Sequence, residues 1–177
     1  MNTTFNKRLS LKEKIGYGLG DMASNFYMGF FGLFLLYYYT DVFGISPAAA
    51  GTMLLVTKII DAISDPAMGL IADRTNSRWG KYRPYLLWMA IPYALLGYLL
   101  FLGPDLGDTG KIVFAYVSYS LVMLAYTAIN VPYSALLAVI HPSAEERTKA
   151  TQFRFIFASL GTWCVGAFAT PLVKSLG

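Results

Sequence analysis

The chain has one cysteine and one histidine in 177 residues. A single thiol, Cys164, excludes an internal disulfide and a cysteine-rich metal centre. Its partner in any Cys-His chemistry would be His141, which stands in a polar loop before Pro142, so nucleophilic catalysis of that kind is not expected and Cys164 reads as a small packed hydrophobe. No set of nucleophile, base and orienting group, and no metal-ligand cluster, can be assembled from the sequence, so no enzyme is expected. Charge is also scarce: 14% of residues are charged, where a soluble domain carries about a quarter. No cleavable leader is legible in MNTTFNKRLSLKEK, which is polar and basic and runs into a full-length apolar segment.

What remains is apolar: 56% of the residues are hydrophobic, 16% aromatic, and the mean hydropathy is +0.50. That composition describes a membrane protein. The net charge of +4 and a pI near 9.1 could suggest nucleic acid, but the cations cluster in short segments between apolar runs and form no basic face, so no nucleic-acid partner is expected. About twenty apolar residues cross a bilayer, and the sequence predicts spans roughly at 16–39, 46–71, 84–103, 111–139 and 153–173. Ser10 is a plausible cap before the first. Lys and Arg fall on the N-terminus and on alternate connections, with Arg74, Arg78, Lys81 and Arg83 in one and Arg147 and Lys149 in another. By the positive-inside rule the N-terminus is cytoplasmic and Lys174 to Gly177 lie outside.

The stretch TKIIDAISDPAMGLIADRTNSRWGKYRP, Thr57 to Pro84, carries the unusual chemistry. Lys58, Asp61 and Asp65 sit in an apolar segment, and an ionisable group inside a membrane is a functional-site hypothesis by default. Positions three and four apart share a helical face, so the three form one charged stripe, with Lys58 in reach of Asp61 and the carboxylates one turn apart. Two carboxylates that converge offer the hard oxygen ligands a cation such as sodium requires, since helical carbonyls are committed to the backbone ladder.

Beyond it, G-x-x-x-D-R-x-x-x-R-x-G-K is spelled by Gly69, Asp73, Arg74, Arg78, Gly80 and Lys81, and this resembles the cytoplasmic loop signature of the major facilitator superfamily. Five blocks, IGYGLGD from Ile15, YYYTDVFG from Tyr37, DAISDPAMG from Asp61, SRWGKYRP from Ser77 and YTAINVPYSAL from Tyr126, resemble one family within it, the melibiose-permease-like glycoside–pentoside–hexuronide:cation symporters. The resemblance implies an all-α membrane bundle, about five spans of the N-terminal six-helix half, with residues 1–177 as that bundle and no C-terminal bundle in this chain. It implies a coupling cation, Na+ or H+, at Asp61, Ser64, Asp65 and Thr127 with Lys58 as the neighbouring base, and no other cofactor. It places sugar contacts at Asn25, Tyr126, Asn130 and Arg154.

Tyr126, Thr127 and Asn130 neighbour one another on one helix, so cation and sugar sites could touch, and their binding would then be reciprocally coupled. Asn25 and Asn130 stand where acidic sugar ligands occur in melibiose-permease-like members, and Ser134 where an aromatic does. With Arg154 kept, a hexuronide is one expected substrate, and neutral glycosides or pentosides are equally open. The expected partners are membrane lipid, a sugar, a monovalent cation and a second helix bundle, in a bacterial cytoplasmic membrane. Two alternatives are a membrane-embedded assembly module that pairs with another half-transporter, and a lipid or amphiphile carrier on the same fold. Asp21, in the first block, reads equally as a hinge partner and as a ligand contact.

Overall fold

The computed structural model describes residues 8–169 and 171; the last part of the fifth predicted span and Lys174 to Gly177 lie outside the described residues. Every regular element among the described residues is helical. In order they are α1 (Leu11–Tyr37) with a π-helical turn at Tyr38–Val42, α2 (Pro47–Arg74), α3 (Arg83–Trp88), α4 (Ala90–Leu100), α5 (Asp108–Ile140) and α6 (Ala144–Cys164), which passes into a second π-helical turn at Val165–Ala169. Leu11–Val42 and α5 are long and apolar enough to cross a membrane, and α4 is a shorter apolar helix.

Local chemistry explains the helix ends. Ser10 and Glu13 form a capping box: the Glu13 N–H donates to Ser10 Oγ at 3.3 Å and the Ser10 N–H donates back to Glu13 Oε2 at 2.8 Å. Ser46 caps α2 by accepting the Ala49 N–H at 3.2 Å, with Pro47 in the first turn, where a missing N–H is harmless. The third apolar stretch is divided at Met89. Pro92 lies four residues beyond Trp88, the last residue of α3, and its ring crowds the carbonyl at that spacing. Pro66 and Pro132 are carried inside α2 and α5.

The chain divides into two compact units, one holding residues up to Leu35 and from Leu137 on, the other Leu36–Leu136. In the first, α1 packs along α6, and the contacts advance together along both helices. Lys14 meets Glu146 at 2.9 Å, Asp21 meets Arg154 at 3.2 Å, and Asn25 meets Thr162 at 3.4 Å, so the two helices run parallel. Gly161 makes the approach possible: a Cβ there would stand 2.9 Å from the backbone oxygen of Met22.

In the second unit α2 runs parallel to α5 by the same sign. Thr52 and Tyr116 hydroxyls are 2.6 Å apart, Thr127 donates to Asp65 at 2.9 Å, and a Cβ on Gly69 would lie 3.9 Å from Val131. Met53 and Thr57 are buried on α2, while Leu55, Ile59 and Ile63, also four apart, are 63%, 57% and 71% exposed. The packed positions of α2 are thus small or apolar with Thr57 among them, Lys58 and Asp65 are exposed, and the Leu55–Ile59–Ile63 stripe is bare, as a lipid-facing stripe is.

Candidate functional site

Asp61 and Asp65 both lie on α2, one turn apart, and α5 supplies their surroundings. The Thr127 hydroxyl, buried, donates to Asp65 Oδ1 at 2.9 Å, which fixes one carboxylate of α2 against α5. Asp61 is held more loosely. Lys58 Nζ approaches its Oδ2 at 3.4 Å, and the Lys58 side chain is 71% exposed against 16% for Asp61. The other oxygen, Asp61 Oδ1, is buried and has no hydrogen-bond partner among the described residues. A buried acceptor without a donor costs about 1–3 kcal/mol, more when charged, and an ion or proton at that oxygen removes the cost. Ser64 turns its hydroxyl toward the Asp61 carbonyl at 3.4 Å.

Tyr119 was not marked by the sequence, yet it is buried on α5 and within electrostatic reach of Asp61. The signal was present in the spacing: Tyr119 precedes Thr127 by two helical turns and so shares its face. Of the residues expected to touch sugar in this unit, Tyr126 lies beside Tyr93, ring centroids 6.2 Å apart, and Asn130 is half-buried one turn further along α5. Ser134 is exposed.

The loop after α2 is built as a tight turn. Gly80 adopts φ +93°, a conformation that favours glycine, and its N–H donates to the Ser77 carbonyl at 3.0 Å. Asp73 accepts the Tyr82 hydroxyl at 2.7 Å, and this bond to a carboxylate pushes the Tyr82 hydroxyl pKa up. Arg78 stacks 4.5 Å over the Trp79 ring, and Arg74, Arg78 and Lys81 are exposed. Gly69 faces Val131, as above.

Asn25 and Arg154 belong to the α1–α6 unit. Arg154 Nε pairs with Asp21 Oδ1 at 3.2 Å, with side chains 23% and 10% exposed. The Asn25 amide donates to the Asp21 carbonyl at 2.8 Å, and Asn25 Oδ1 accepts the Thr162 hydroxyl at 3.4 Å. Asp21 is therefore the residue around which both expected sugar contacts of this unit gather, and the positive charge of Arg154 is already matched.

A second charged cluster ties the ends of the same helices. Glu146 accepts from Lys14 at 2.9 Å, Lys149 at 2.9 Å and the Leu9 N–H at 3.1 Å. It lies on the polar first turns of α6, before the apolar run. The Lys149 and Lys14 ammonium groups hold its carboxyl down to about 2 from the ordinary 4.5. Because the folded pKa is the lower one, this contribution to stability is complete above about pH 4.5 and is lost as pH falls toward 2. The expected result is a thermal midpoint in detergent that drops more for wild type than for Glu146→Gln between pH 6 and pH 3; equal drops would show that the cluster adds nothing.

Residues 16–177 match the family profile described as MFS/sugar transport protein. The chain belongs to that family. The resemblance to glycoside–pentoside–hexuronide:cation symporters holds with it, since the relatives carry names from that group. An inner membrane symporter of Escherichia coli is 45% identical over 96% of this chain and 37% of its own length. The isoprimeverose transporter of Lactiplantibacillus pentosus is 39% identical over 93% of this chain and 34% of that protein. A glucuronide carrier protein homolog of Escherichia coli is 39% identical over 96% and 37%. The chain thus spans little more than a third of the length of these curated relatives. Membership makes this an integral membrane protein of the major facilitator type, and its all-helical structure agrees.

Proposed function

We propose that the chain forms the N-terminal helices of a cation-coupled sugar symporter of a bacterial inner membrane, a carrier and not a catalyst, with its N-terminus in the cytoplasm. A second helix bundle completes the substrate site, and transport proceeds by one bundle rocking against the other. The observation that carries this reading is the buried, unpartnered Asp61 Oδ1, one turn from an Asp65 that Thr127 holds in place. A buried acceptor without a donor is uncommon in helix packing, and a bound Na+ or H+ at that oxygen would satisfy it. Asp61, Asp65, Ser64 and Thr127 form the cation site, with Lys58 near enough to offset one charge when the cation leaves.

On the same reading Tyr126 and Asn130 are sugar-contact residues of the α2–α5 unit, and Asn25 and Arg154 are sugar-contact residues of the α1–α6 unit, because amide, phenol and guanidinium groups match the donors and acceptors of a glycoside. The names of the relatives support a glycoside, pentoside or hexuronide as cargo. The test is uptake of isoprimeverose and of an aryl glucuronide into membrane vesicles carrying the full-length product, with an inward Na+ gradient, an inward H+ gradient, or neither imposed. Accumulation above equilibrium with one gradient is expected. Uptake of neither sugar under any gradient would overturn the reading in favour of an assembly module or an amphiphile carrier.

A further inference from the structure

We propose that Asp21 determines the charge of the sugar this carrier accepts, by neutralising Arg154 so that an uncharged glycoside is taken and a sugar carboxylate is refused. The inference rests on the sugar-symport reading above and adds to it a residue and a substrate class. Asp21 and Arg154 are brought together by the parallel packing of α1 and α6, with Asp21 Oδ1 at 3.2 Å from Arg154 Nε and both side chains largely withdrawn from solvent. Arg154 stands ten residues into α6, about 15 Å along the axis from Ala144, so it lies well past the charged first turns. The pair stands near the start of both predicted spans, and its side chains are 23% and 10% exposed, so it is a largely buried ion pair rather than a solvated one.

The polar groups around the pair point to what it reads. Asn25 donates to the backbone carbonyl of Asp21 and accepts from Thr162, so an amide, a hydroxyl, a carboxylate and a guanidinium share one seam. A glycoside hydroxyl both donates and accepts, and can bond an Asp21 oxygen and an Arg154 N–H without adding charge. A substrate carboxylate that reached Arg154 would instead set a second anion against a guanidinium already matched by Asp21, in a poorly hydrated place where like charges repel strongly. The arginine alone would invite a hexuronide; with Asp21 beside it, the site is balanced for a neutral ring.

An aryl xyloside and the matching aryl glucuronide test this, because the rings differ at C5 by hydrogen against carboxylate. Uptake of each is measured in vesicles carrying the full-length product. Wild type is expected to prefer the xyloside, Asp21→Glu to keep that preference, and Asp21→Asn to raise the glucuronide-to-xyloside ratio at least about tenfold, one pair of like charges having been removed. A structural pair would let both uptakes fall together in Asp21→Asn with the ratio unchanged, and that result overturns the proposal. So does a wild type that prefers the glucuronide. If Asp21→Asn does not reach the membrane, the double variant Asp21→Asn/Arg154→Gln, which removes both charges, must keep the xyloside preference; a switch to glucuronide in that variant also overturns it. Uptake of neither sugar by wild type overturns the symport reading itself and this inference with it, whereas uptake with an unaltered ratio overturns only the role of Asp21.

Discussion

Replacing Asp61 by asparagine is expected to weaken coupling-cation affinity by about a thousandfold and to abolish gradient-driven accumulation, while sugar exchange across the membrane without a gradient persists. The magnitude follows from one lost charge: at 4 Å and an effective dielectric near 20, an ion pair is worth roughly 4 kcal/mol, or about three decades in affinity. Asparagine keeps the volume and one carbonyl oxygen, so the packing of α2 on α5 is preserved. The competing account is that Asp61 serves only to anchor Lys58. That bond is long, 3.4 Å, and Lys58 is 71% exposed, so it is a weak anchor for Asp61. Lys58→Gln should therefore leave accumulation within a few-fold of wild type. Equal loss in the two variants, measured as cation-dependent uptake in the same vesicles, would refute the cation site and support the ion pair.

Much of the molecule is legible in its sequence. Its helical character is written in apolar runs that no soluble core would require, and the Ser10 cap is a local signal; the third run reads as one span over 84–103, whereas the helix breaks at Met89, one turn before Pro92. The charged stripe of Lys58, Asp61 and Asp65 was legible too, because a helix places residues three and four apart on one face. What periodicity does not carry is which helix lies opposite. Thr127 could be set against Asp65 only through family resemblance, and Tyr119, on the same face of α5, was missed for want of that information. The α1–α6 seam was further out of reach, since its partners are 137 residues apart for Asn25 with Thr162 and for Leu9 with Glu146. No local pattern tells Asp21 from a hinge residue or Arg154 from an uncompensated cation. Their pairing is a tertiary fact, and it decides what the arginine can bind.

That seam also carries the largest expected effect on stability. Gly161→Ala places a Cβ 2.9 Å from the Met22 carbonyl oxygen and 3.4 Å from the Asn25 Cβ. The obstacle is backbone, which cannot rotate away as the end of a long side chain can, so α1 and α6 must separate by a few tenths of an ångström or more. Overpacking of this kind costs about 1–3 kcal/mol. Alanine is otherwise the better helix former by up to about 1 kcal/mol, so the sign of the result separates packing from propensity. Gly32, on α1, has nothing within 4 Å of where its Cβ would be, and Gly32→Ala supplies the propensity term alone. The expected outcome is a lower thermal midpoint for Gly161→Ala and an unchanged or higher one for Gly32→Ala, each read in detergent by intrinsic tryptophan fluorescence. The effect should reach function as well, because spreading the seam at Asn25 lengthens the path from Asp21 to Arg154, the next turn along. A Gly161→Ala protein as stable as wild type would show that α1 and α6 do not approach as closely as the Met22 contact requires.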